Sequence, residues 1–71
     1  LVCWTTHATE EVEGGHLVVD VIEVMDLSTG RAAPVASDAR GCDVSGRGLA
    51  YLARLASRTA PYYRTLPEEF P

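Results

Sequence analysis

The sequence contains no lysine, no asparagine and no glutamine. Without asparagine it holds no N-glycosylation sequon. All side-chain basicity other than histidine falls to six arginines: Arg31, Arg40, Arg47, Arg54, Arg58 and Arg64. Folding imposes no such bias, but a GC-rich bacterial coding sequence produces it. Long apolar runs are also missing, and the longest is too short to span a bilayer. There is no Cys-x-x-Cys and no close histidine pair, so no short zinc motif is present. The chain begins at Leu1 rather than Met, which raises the expectation that a leader or other first residues, with any targeting signal, precede it.

What is present suffices for one small domain, residues 1–71. A hydrophobic fraction of 46% and a charged fraction of 23% are those of a folding chain. At 71 residues the core is marginal, so a staple, a metal, a partner subunit or unusually good packing is expected. The length excludes two packed domains and a deep cleft between them. A net charge of −4 disfavours nucleic acid and anionic membranes as main partners. The charge is also split: residues 1–30 carry −6 with no arginine, and residues 31–71 carry +2. Packed against each other, the two halves are expected to attract.

Residues 1–9, LVCWTTHAT, alternate β-branched and aromatic residues and predict a strand. EEVEGG follows as a charged connection ending in a turn. Residues 16–27, HLVVDVIEVMDL, predict the strongest strand. Val18, Val21, Ile22 and Met25 also fit a helical period, but β-branching and the flanking turn residues favour a hairpin. RAAPV, residues 31–35, reads as a short strand that Pro34 confines to a sheet edge. ASDARGCD reads as loop. Leu49, Leu52, Ala53 and Ala56 then fall on one face of a helix over residues 45–58, capped by Asp43 or Ser45. Residues 59–71 are expected as an irregular tail laid over the core. The expected fold is therefore α+β: two or three antiparallel strands against one C-terminal amphipathic helix.

GCDVSGRG copies the spacing of a phosphate-binding loop. Arg47 replaces its lysine, Gly48 replaces its Ser/Thr, and Asp43 would repel a phosphate. Cys3, His7, His16 and Cys42 have the donor types for zinc but not the spacing. A Cys3–Cys42 disulfide would need an oxidising compartment. Two buried free thiols are the favoured expectation, since unpaired cysteine is commonly buried. No nucleophile–base pair, cofactor motif or small-molecule site is evident, and the chain is not expected to be an enzyme.

On the expected helix, Arg47, Tyr51, Arg54 and Arg58 form one basic stripe opposite the apolar face. Arginine pairs with carboxylates and phosphates and stacks on rings. The expected function is a small protein–protein interaction module in the cytoplasm, binding another protein or a second copy through a sheet edge or this stripe. A bridged Cys3–Cys42 pair would point instead to secretion. The alternatives are nucleic-acid binding by the stripe and an accessory subunit or fragment of a larger enzyme.

Overall fold

A computed structural model describes residues 1–56 and 58–70. Six strands follow one another: β1 (Val2–Val12), β2 (Gly15–Asp26), β3 (Arg31–Ser37), β4 (Ala39–Ser45), β5 (Gly48–Leu55) and β6 (Arg58–Thr65). They form two antiparallel three-stranded sheets, ordered β1-β2-β3 and β4-β5-β6. The protein is all-β, and among the described residues there is no helix. Among the described residues no helix is thus long and apolar enough to cross a membrane.

The α+β expectation is therefore corrected, and with it the helix over 45–58 and the irregular tail from 59. The segment Gly48–Leu55 satisfies two periods at once. Leu49, Leu52 and Ala53 fit a helix, while Leu49, Tyr51, Ala53 and Leu55 alternate as in a strand. The neighbouring segment decides between them. Arg58–Thr65 carries Thr59, Tyr62, Tyr63 and Thr65, which fit a pleated surface, and it pairs with β5 from Gly48↔Thr65 to Leu55↔Arg58. Tyr51 and Tyr62 are cross-strand partners with stacked rings, 6.1 Å between centroids. A helix would also have placed Gly46 and Gly48 in its first turn. ASDARGCD, expected as loop, supplies most of β4, where a bulge between Arg40 and Asp43 interrupts the pairing with β5.

The turns follow from local chemistry. After β2, Asp26 Oδ1 accepts hydrogen bonds from the Ser28 amide at 2.8 Å and the Ser28 hydroxyl at 2.6 Å. The Gly30 amide donates to the Asp26 carbonyl at 2.7 Å, with Gly30 at φ 74°. Between β4 and β5 the chain reverses over Gly46 and Arg47, with Gly46 at φ 57°.

One residue joins the sheets. Ser37 ends β3, Ala39 begins β4, and Asp38 between them adopts φ 53°, the one positive φ outside glycine among the described residues. Aspartate tolerates this conformation better than most residues. The Asp38 carbonyl then accepts the Arg54 amide at 2.9 Å, which ties the corner to β5.

The corner sends β4 across β2 and β1, and the core forms between the sheets. Ile22, Val24 and Leu49 are fully buried, with Ala39 and Leu66 nearly so. Leu66 comes from beyond β6. Arg47 holds that segment: its carbonyl accepts the Leu66 amide at 2.7 Å. Its guanidinium donates to the Phe70 carbonyl at 2.7 Å and the Glu68 carbonyl at 2.6 Å. Arg64 similarly donates to the Val35 carbonyl at 3.1 Å, linking β6 to the bulged edge of β3. Cys3 on β1 and Cys42 on β4 are disulfide-bonded, with Cα atoms 6.2 Å apart. The expectation of two free thiols is thus corrected: β4 crosses β1 and brings the sulfurs together.

Candidate interaction site

The β1–β2 hairpin outruns the rest of the first sheet. Its pairing runs from Val2↔Met25 to Val12↔Gly15, but β3 pairs with β2 only from Val21 to Asp26. Beyond Val21 the hairpin projects as a two-stranded arm, and the molecule is 41 Å long but 16 Å thick. Every residue from His7 to Val18 is exposed. Val12, Leu17 and Val18 retain 46%, 50% and 65% of their full exposure, so they carry apolar surface that the core does not use.

The arm has two free edges. Among the described residues, the outer edge of β1 has no neighbouring strand along its whole length. The outer edge of β2 lacks one from Gly15 to Asp20. Free edges present unpaired amides and carbonyls, the groups that accept another strand. The arm is acidic, with Glu10, Glu11 and Glu13 at and near its tip. At its base His7 Nδ1 and Asp20 Oδ1 lie 2.9 Å apart, cross-strand partners in the register.

The arginines lie elsewhere. Arg47 is occupied by tail carbonyls and Arg64 by Val35. Arg40 and Arg54 line a cavity of about 370 Å³ at the foot of the arm, together with Asp20, Asp38, Leu52 and Thr59. Among the described residues no arginine comes within ion-pairing distance of a carboxylate; the sole salt bridge is His7–Asp20. The acidic and basic halves therefore do not neutralise each other through direct contacts.

The stripe Arg47, Tyr51, Arg54 and Arg58 is not brought together. Arg47 sits in the β4–β5 turn and Arg58 begins β6, while Tyr51 and Arg54 alternate to opposite faces of β5. The zinc candidates are also dispersed. Cys3 and Cys42 are bonded to each other, His7 faces Asp20, and His16 pairs with Glu11 near the arm tip. Among the described residues no three potential ligands cluster. GCDVSGRG runs from the end of β4 through the hairpin turn into β5, so Gly41 serves the β4 bulge and Gly46 the turn, not a phosphate cradle.

The arm was the feature hidden in the sequence. Glu10 and Glu11 resemble the start of a loop, yet β1 continues through them to Val12. The available signal was the matching length of the two flanking segments around Gly14–Gly15. No protein-family model matches the chain, and no curated protein or solved structure is significantly similar to it.

Proposed function

We propose that this domain is a protein–protein interaction module that works by strand addition at its projecting arm. One observation carries the proposal: among the described residues, the 11-residue strand β1 has no strand on its outer edge, on a hairpin whose distal half is exposed. An added strand gains main-chain hydrogen bonds, and alternate side chains supply selectivity. The Cys3–Cys42 bridge fixes the root of this strand against β4, so the edge is held before a partner arrives. The same bridge favours an oxidising compartment as the place of action. The acidic arm argues against a nucleic-acid partner, since it would repel phosphates.

Selection from a library of random extended peptides tests this. Selected peptides should shift the backbone amide resonances of Val2–Val12 and leave those of β5 unchanged. Peptides that instead perturb the β4–β5–β6 sheet, or selection that yields no binder, would refute the proposal.

A further inference from the structure

We infer that the second free edge, Gly15–Asp20 of β2, pairs with the same edge of a second copy, forming a two-fold dimer of interlocked arms. This rests on the interaction role proposed above and names its partner at one edge.

Three constraints define the arrangement. The first is register. Ser37 already occupies the place opposite Val21, so an incoming arm along β2 must stop at Asp20. The second copy's turn, Glu13–Gly14, then halts beside Asp20, and antiparallel pairing sets Gly15 opposite Val19 and Leu17 opposite Leu17. This register keeps each side chain on the same face as its partner, as strand pairing requires. It buries Leu17, an exposed apolar side chain of the arm, against its own copy on the axis.

The second constraint is charge. Stopping at Asp20 delivers the tip carboxylates of one copy, Glu11 and Glu13, to the other copy's cavity at Arg40 and Arg54. Among the described residues, neither those arginines nor those carboxylates have an ionic partner. Asp20 and Asp38 share that cavity, but His7 holds Asp20, so the two-fold axis sets each acidic tip beside two unpaired arginines and keeps the two acidic tips apart.

The third is reach. A strand rises about 3.4 Å per residue, so Gly15 stands roughly 17 Å from Asp20 along the arm. The tip cannot fold back to its own cavity, so only another molecule can bring Glu11 and Glu13 there. Pairing β2 with β2 leaves both β1 edges outermost, so the dimer would present two strand-addition sites and gain avidity for a repeated partner. The paired segment is short, well under the ~800 Å² per partner of a standard interface, so the association is weak and reversible.

Sedimentation of the purified chain over a wide concentration range, at low and high salt, tests this. A reversible monomer–dimer equilibrium without larger species is expected, weakened by salt. Leu17→Lys should raise the dissociation constant at least about tenfold, since it places like charges on the axis. Leu17 is half-exposed and faces Glu10 across the hairpin, so the variant retains a favourable pair within its own arm. Arg54→Glu should weaken the dimer independently, and combining it with Glu11→Arg and Glu13→Arg should restore part of the loss. A chain that stays monomeric near 1 mM, forms open polymers, or dimerises equally well as Leu17→Lys or Arg54→Glu would overturn the inference. A monomeric chain that still binds peptides along β1 would remove the self-pairing and leave the strand-addition role standing.

Discussion

Arg47 in the β4–β5 turn and Phe70 near the chain end are joined by a 2.7 Å hydrogen bond from guanidinium to carbonyl. With the Glu68 carbonyl and the Leu66 amide, it makes one arginine the anchor of the whole C-terminal segment. Leu66 and Phe70 both pack on the core, so the anchor controls apolar burial as well as polar contacts. Arg47→Ala should cost about 2–3 kcal/mol, the range for hydrogen bonds to a charged group plus loosened packing. Arg47→Lys should recover only part, because a point ammonium does not span two carbonyls as a planar fork does. Urea unfolding of the three proteins measures the difference.

The Cys3–Cys42 bridge spans 39 residues and joins the two sheets through β1 and β4. Closing a loop of that length stabilises by about 3–4 kcal/mol in the chain-entropy account. For a domain this small, that is comparable with its whole stability. The Cys3→Ser/Cys42→Ser variant should therefore lose cooperative thermal unfolding at ordinary temperatures. Unchanged unfolding by circular dichroism would show that the core alone suffices.

Asp38 turns the chain from one sheet to the other at φ 53°. Glycine adopts that conformation freely, so Asp38→Gly should be neutral or slightly stabilising. A β-branched residue there is strained, and Asp38→Val should cost about 1–2 kcal/mol. Thermal denaturation of both variants provides the comparison, and equal melting temperatures would contradict the strained corner.

Asp26 gives a pH signature. Hydrogen bonds from the Ser28 side chain, and then the Ser28 amide, hold its carboxyl below the usual 3.8. A carboxylate depressed on folding contributes stability above the unfolded value, and this is lost as pH falls through the folded one. Carbon-detected titration should find Asp26 titrating below 3.8 in the wild type and moving back up in Ser28→Ala. The residue is partly exposed and its hydrogen bonds lie at the surface, so the effect on stability is small.

The first hairpin was legible because its alternation and its glycine turn agree. Val19, Val21, Ile22 and Val24 are β-branched, and the competing helical period lost to them. Pro34 could be assigned to an edge because it has no amide to donate, and β3 is the outer strand. The second sheet was not legible. Leu49 to Leu55 fits both periods, and only long-range pairing with β6 chooses between them. The arginine stripe fell with the helix that defined it. The arm was obscured because charged residues such as Glu10 and Glu11 are normally loop-like, and only a hairpin with nothing packed on either face leaves them in water on both sides.

Residue-resolved amide hydrogen exchange, run on dilute and concentrated samples, tests the central claim most directly. Ile22, Val24 and Leu49, at the centre of the core, should exchange slowly at both concentrations. Outward-pointing amides between Gly15 and Asp20 should exchange fast when dilute and gain protection when concentrated. Arm amides already protected in the dilute sample, or unprotected at every concentration, would contradict an arm whose free β2 edge pairs with a second copy.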